Sequence, residues 1–238
     1  MPNLLTIRNL SASAEEKPII QGINLTIKRG QVHVLMGPNG SGKTSLFKTI
    51  LGVGSFTINS GEIYLNNRKI NNNLSIDQRA RLGIALMFQK PPKITGVSLL
   101  SLLKLLNSDE DKVKKQIKNF SAAKFASRDL NSNFSGGELK RSELLQLSLQ
   151  SARLYLLDEP DSGVDLDNIK LIGKQINELV KGKNSSAIII THTGQILDYV
   201  KADKAYLLVD GQIARVEEPQ DLLKSIRKKG YQKGKNAN

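Results

Sequence analysis

Between Gln31 and Gly52 the chain reads QVHVLMGPNGSGKTSLFKTILG, an apolar β-type run, a glycine-rich loop and a helix-period run closed by glycine. That order leaves few folds open. A short run with this apolar and β-branched content suits a strand buried on both faces, which implies a sheet covered by helices. The loop, Gly37 to Thr44, has the spacing of a phosphate-binding loop. Gly37, Gly40 and Gly42 let backbone N–H groups wrap one phosphate, the following helix adds its N-terminal partial charge, and Lys43 can reach oxygens further out. Pro38, Asn39 and Ser41 complete the loop; the Thr44 hydroxyl suits a divalent cation, and Ser45 follows it in the first helical turn.

Further buried strands are expected at Arg153–Leu157 and Ser186–Thr191, each ending in a polar cluster. Between them Leu166, Ile169, Ile172, Ile176 and Leu179 recur at three-to-four spacing, predicting an amphipathic helix over Leu166–Lys181 capped by Gly182. Strand, helix, strand implies parallel pairing through a right-handed crossover. Leu4–Leu10, Ile19–Ile27 and Gly61–Leu65 alternate like half-buried antiparallel strands, and Asp210-Gly211 between two strand runs signals a hairpin. From Gln89 to Ser135 the strand signal vanishes, and Leu99–Asn107 and Asp109–Asn119 read as helices, so this stretch is expected to be an all-α insertion. Asn71–Asn73 reads as an exposed loop. The expected organisation is an α/β core with an antiparallel β subdomain over 1–90 and 151–218, a helical subdomain over 91–150, and a C-terminal helix, Gln220–Lys229, with a basic tail within 219–238.

The net charge of +13 raises the question of a polyanionic partner. The excess lies partly in the last residues, IRKKGYQKGKNAN, and otherwise on scattered lysines without the interleaved aromatics of single-strand binders, so no nucleic acid is expected. Cysteine is absent, which removes disulfides and thiolate metal sites. No apolar run is long enough to span a membrane, and the N-terminus MPNLLTIRNL lacks the pattern of a secretion signal. The expectation is a cytoplasmic protein without direct membrane insertion.

DEPDSGVDLD, Asp158–Asp167, gathers five carboxylates in this basic chain. Its spacing fails as a calcium loop, because Pro160 and Gly163 fall where ligands should. NFSGGELKR, Asn133–Arg141, places Ser135 three residues before Glu138, a capping box that starts a helix, while Gly136 and Gly137 leave its amides open to a phosphate. Taken alone, that is also an ordinary capped helix. His192, just past a strand, is likewise compatible with a purely structural histidine, and His33, in mid-strand, reads as structural.

Taken together, these stretches resemble the ATP-binding cassette family along nearly the whole chain. Its phosphate loop looks like Gly37–Thr44, its signature like Ser135-Gly136-Gly137-Glu138, its acidic strand end like Leu154–Glu159, its glutamine like Gln89, its switch histidine like His192, and its interface loop like Ser162–Asp165. The resemblance implies a P-loop α/β fold with antiparallel β and α-helical subdomains, and a Mg²⁺-dependent ATPase. Asp158, Thr44 and Gln89 would hold Mg²⁺, Glu159 would be the general base, and His192 would contact the γ-phosphate. Two chains would sandwich ATP between the phosphate loop of one and the Ser135 helix of the other, with Asp161 and Asp165 shaping that interface. Many transporter cassettes stack adenine on an aromatic residue near the start of the domain; Ser11–Pro18 contains none.

Within the family, QKPPKITGVS (Gln89–Ser98) and Asp161-Ser162-Gly163 resemble the SufC branch, soluble ATPases of iron–sulfur cluster assembly. Leu139, after the signature, departs from better-known bacterial members. This resemblance implies a SufB- or SufD-like scaffold as partner and ATP-dependent dimerisation. The motor subunit of a membrane transporter is the alternative.

Overall fold

The computed structural model describes residues 2–71, 74–181 and 185–232. The chain opens with β1 (Asn3–Ala14) and β2 (Lys17–Lys28), an antiparallel hairpin turned at Glu15 and Glu16, whose φ angles of 47° and 65° suit a two-residue turn. β3 (Val32–Met36) leads into α1 (Lys43–Leu51), and β4 (Phe56–Leu65) and β5 (Arg68–Lys69) return to the antiparallel layer. α2 (Ile76–Arg81) precedes β6 (Ile84–Met87). Then come β7 (Ile94–Ser98), α3 (Leu99–Leu106), α4 (Glu110–Asn119), β8 (Asp129–Leu130) and α5 (Gly136–Leu149). β9 (Leu154–Asp158), α6 (Leu166–Val180) and β10 (Ser186–Ile190) follow. The chain closes with β11 (Lys204–Val209), β12 (Gln212–Glu217) and α7 (Pro219–Lys229).

These strands form a four-stranded sheet in the order β2-β1-β4-β5 and a six-stranded sheet in the order β12-β11-β3-β10-β9-β6. In the larger sheet, β10 pairs in parallel with both β3 and β9, and β6 pairs in parallel with β9, as the strand–helix–strand order requires. The two-residue side-chain period divides each central strand between two cores. Val34, Tyr155, Leu157, Ala187 and Ile189 join the layer containing α5 and α6. Leu35, Leu156, Ile188 and Ile190 face the layer containing α1 and the antiparallel sheet. Each large aliphatic side chain withdrawn from water in this way contributes on the order of 2 kcal/mol.

Several expectations shift. The 91–150 stretch is mainly helical but also holds a two-stranded ribbon, β7 with β8. β7 escapes pattern reading because it is exposed on both sides, with no alternation to see. α6 keeps the predicted face except at Leu166, which is 64% exposed beside the cap Asp165. Gly182 and Asn72–Asn73 lie outside the described residues. Asn71 is not a free loop residue: its amide oxygen accepts from Ile63 N and its nitrogen donates to Gly61 O, both in β4. The sheet order also positions the site. Four parallel strands, β3, β10, β9 and β6, deliver the residues after their C-terminal ends to one edge, where α/β sheets bind ligands.

Candidate active site

The phosphate loop leaves β3 at Gly37. A Cβ there would stand 2.1 Å from Leu208 O of β11, so only glycine lets the loop leave the strand at this point. The turn of the β11–β12 hairpin supports the loop from the same side, with Gly211 N–H donating to Ser41 O at 3.0 Å. Lys43 is buried at the start of α1 and folds back on the loop, its Nζ donating to Gly37 O at 2.9 Å and Pro38 O at 2.8 Å. Burial pushes its ammonium below the ordinary lysine range, while Glu159 and Asp158 nearby oppose that shift. Those two carbonyls hold a cation that the phosphates of a nucleotide can take over.

β9 ends at Asp158, whose Oδ2 accepts from the Thr44 hydroxyl at 2.9 Å across the cleft. Its other oxygen, Oδ1, is buried without a partner, and burial pushes the carboxyl above its usual range. Thr44, Gln89 and Asp158 all line one cavity of about 210 Å³. A hydroxyl, an amide and a half-satisfied carboxylate fit Mg²⁺, which is typically held by one or two carboxylates together with phosphate and water. No cluster of three or more His, Cys, Asp or Glu suited to a metal occurs among the described residues.

Glu159 is the next residue and adopts φ 52°, a left-handed conformation unusual for glutamate. That turn aims its carboxylate away from the strand into the cleft. Oε2 accepts from Gln89 Nε2 at 2.8 Å, and Oε1 lies 2.8 Å from His192 Nε2. A carboxylate can only accept, so the imidazole proton sits on Nε2 in this contact. Gln89 follows β6 and His192 follows β10, so the ends of three neighbouring strands meet at one carboxylate.

Ser135 caps α5, and Gly136, Gly137 and Glu138 form its first turn. The capping box is complete: Glu138 N donates to Ser135 Oγ at 3.2 Å and Ser135 N to Glu138 Oε2 at 3.0 Å. Burial works against the Glu138 anion, but the Ser135 N–H and Arg128, 3.2 Å away, hold its carboxyl below the usual range. The glycines have a reason the sequence did not show. A Cβ on Gly136 would stand 2.4 Å from Gly163 O, and one on Gly137 would stand 2.5 Å from the Asn168 side chain. The start of α5 is therefore packed directly on the loop that follows Glu159.

Asp161 departs from its expected interface role. It is buried, and its Oδ2 accepts from the hydroxyls of Thr191 and Thr193, both at 2.7 Å, which fastens the loop after β9 to the loop after β10. Asp165 N-caps α6 through Asn168 N at 2.9 Å. His33 is structural, as expected, between Gln31 and the Tyr206 hydroxyl.

Sequence reasoning passed over three residues near this site. Lys140 and Glu143 are charged yet buried on α5, and Tyr231 beyond α7 donates its hydroxyl to His192 O at 3.2 Å. For the first two the signal was present: a Lys and a Glu three apart in a helix otherwise packed through Leu144, Leu145 and Leu147. Tyr231 carried no signal.

The model of a family described as ABC transporter matches residues 20–162. A probable ABC transporter ATP-binding protein of Streptococcus pyogenes serotype M3 is 37% identical over 245 residues, covering 96% of this chain and 94% of that one. A probable ATP-dependent transporter, ycf16, of Trieres chinensis is 39% identical over 246 residues, covering 96% of each. Among solved structures, a dimeric ATP-binding cassette in a post-hydrolysis state, bound to ADP and Pi, superposes with a TM-score of 0.78 at 22% identity, covering 91% of this chain and 99% of that one.

Proposed function

This chain belongs to the ABC transporter family as a nucleotide-binding ATPase subunit, and we propose that it is a SufC-type member, an ATPase that drives a shape change in a SufB- or SufD-like scaffold during iron–sulfur cluster assembly. The observation that carries the catalytic part is the pairing of Glu159 with both Gln89 and His192, one residue past Asp158 and across the cleft from Thr44. In this reading the loop from Gly37 to Ser45 holds the phosphates of ATP, with Lys43 transferring from its loop carbonyls to phosphate oxygens. Thr44, Asp158 and Gln89 would hold Mg²⁺, which supplies charge neutralisation on the β- and γ-phosphates. Glu159 accepts a proton from the attacking water, and the new bond to the γ-phosphorus forms as the bond to the ADP oxygen breaks. Gln89 orients that water, and His192 donates to the γ-phosphate.

The exposed start of α5, Ser135 and Gly136, serves the ATP bound by a second cassette subunit, so dimerisation depends on ATP. The short path from Gly136 to Gly163 supports this, because it ties the surface that meets the second subunit to the loop after Glu159. With Ser11–Pro18 lacking an aromatic residue, the chain nearest the phosphate loop on that side is aliphatic: Ile20 Cδ1 lies 3.1 Å from where a Gly42 Cβ would be.

The scaffold assignment is supported by QKPPKITGVS and by the surface it builds. Phe88, Ile94 and Val97 are 48%, 41% and 39% exposed in the stretch that follows β6 and contains Gln89. A partner held there would feel the state of Gln89. The same apolar surface, and relatives named as transporter ATP-binding proteins, support the second reading, the motor subunit of a membrane transporter. Among the described residues no helix is long and apolar enough to cross a membrane. Affinity purification of the tagged chain from a detergent-free lysate separates the two. Recovery of a SufB- or SufD-like scaffold is expected, and recovery of an integral membrane protein only after detergent extraction would move the assignment to the transporter.

A further inference from the structure

β6 is the edge of the six-stranded sheet, paired through β9 on one side only, and it ends at Met87. Nothing in that strand fixes Gln89, two residues beyond its end. The backbone there is instead gripped from α5. Glu143 Oε1 accepts from Phe88 N at 3.1 Å, and Lys140 Nζ donates to Gln89 O at 3.3 Å. The two residues are three apart, so they project from one face of the helix. They take the donor of one residue and the acceptor of the next. Both side chains are buried, 3% exposed for Lys140 and 6% for Glu143, in a helix whose other buried positions include Leu144, Leu145 and Leu147.

Burying an ammonium and a carboxylic group is unfavourable unless each finds a partner, and an apolar pair of similar size is often the more stable choice. Packing therefore does not explain them. The contacts beyond them do: from Gln89 the side-chain amide runs on to Glu159 Oε2 at 2.8 Å.

We infer that Lys140 and Glu143 are positioning residues which clamp the backbone at Phe88 and Gln89, and so hold the Gln89 amide on Glu159 in register with the helix that begins at Ser135. This rests on the roles proposed for Gln89 and Glu159. It assigns α5 two tasks, presenting its N-terminus outward and setting the geometry of the chain's own hydrolytic carboxylate. Rotation of α5 as a body would carry the Gln89 backbone with it.

The test compares steady-state ATP hydrolysis with equilibrium ATP binding for the full chain and its variants. Glu143→Ala and Lys140→Met should each lower kcat roughly tenfold to a hundredfold, the scale of a small misplacement of a reacting group, while ATP affinity changes by less than about threefold. Glu143→Gln, which keeps an acceptor for Phe88 N–H, should recover most of that loss. In a Gln89→Ala background the same two substitutions should have almost no further effect on kcat, because the clamp acts through Gln89. A kcat within twofold of the parent in either variant, equal losses in Glu143→Gln and Glu143→Ala, or losses that simply add to that of Gln89→Ala would overturn the inference. Should one alanine or methionine variant fail to fold, the other and the glutamine variant decide. Normal turnover in Gln89→Ala and Glu159→Gln would instead refute the site assignment on which it rests.

Discussion

Glu159 Oε1 and His192 Nε2 stand 2.8 Å apart, joining the ends of two adjacent parallel strands through one contact. With Gln89 on the other oxygen, the carboxylate is held from both sides in the cleft. Glu159→Gln should keep ATP binding but slow hydrolysis by roughly a hundredfold or more, since the amide cannot take a proton from water. His192→Ala should slow it similarly with little change in ATP affinity. Phosphate release and equilibrium nucleotide binding check both; turnover near the parent rate in Glu159→Gln would falsify its role as base.

The unpartnered Oδ1 of Asp158 gives a separate prediction for the metal. Asp158→Asn keeps an acceptor for the Thr44 hydroxyl but removes the charge, so the Mg²⁺ concentration for half-maximal hydrolysis should rise about tenfold or more. Chelation should abolish parent activity and Mg²⁺ restore it. Hydrolysis that persists in excess chelator would sink the assignment.

His33 sets a stability prediction that does not involve the active site. Burial, then Lys204, pushes its imidazole down from 6.5 to about 4, with Asp203 opposing. The neutral ring fits its contacts, donating from Nε2 to Gln31 Oε1 and accepting at Nδ1 from the Tyr206 hydroxyl. Its folded value is the lower one, so the contribution is fully present above pH 6.5 and is lost as pH falls toward about 4, where the unfolded chain alone binds the proton. The loss over that window is on the order of 3 kcal/mol. Urea unfolding at pH 7 and pH 5 should show a drop that His33→Gln largely removes; an equal drop in both proteins would refute the assignment.

The parallel core was legible because its signals are local. Each strand is a continuous apolar run, each turn carries glycine or a carboxylate, and the residues that end the strands fall in recognisable motifs. The candidate site was legible through the resemblance those motifs carry, and the parallel pairing seen in the structure places Gly37, Asp158, Glu159, His192 and Gln89 after the ends of neighbouring strands at one edge. Asp161 was misplaced for the opposite reason. Its partners, Thr191 and Thr193, are about thirty residues away on the next strand's loop, and nothing in DEPDSGVDLD announces them. β7 was missed because an exposed strand paired with two residues has no periodicity to read. Gly136 was read for the wrong neighbour alone: openness to a phosphate was inferred from its sequence, whereas its closest constraint is Gly163 O, set by the tertiary path.

That constraint separates two reasons for a glycine at the start of α5. If Gly136 served only a phosphate on a second subunit, Gly136→Ala would leave the isolated chain as stable as before and weaken only ATP-dependent pairing. The added Cβ would instead stand 2.4 Å from a backbone oxygen, which cannot rotate away as a side chain could. Either α5 or the loop at Gly163 must move, at about 1–3 kcal/mol, the usual range for overpacking. For a domain of this size that corresponds to a fall in Tm of roughly 3–10 °C without nucleotide. Thermal unfolding of the nucleotide-free protein checks it. An unchanged Tm with impaired pairing would mean the glycine serves the second subunit alone. A lowered Tm would show that the signature and the loop after Glu159 are packed as one unit within each chain.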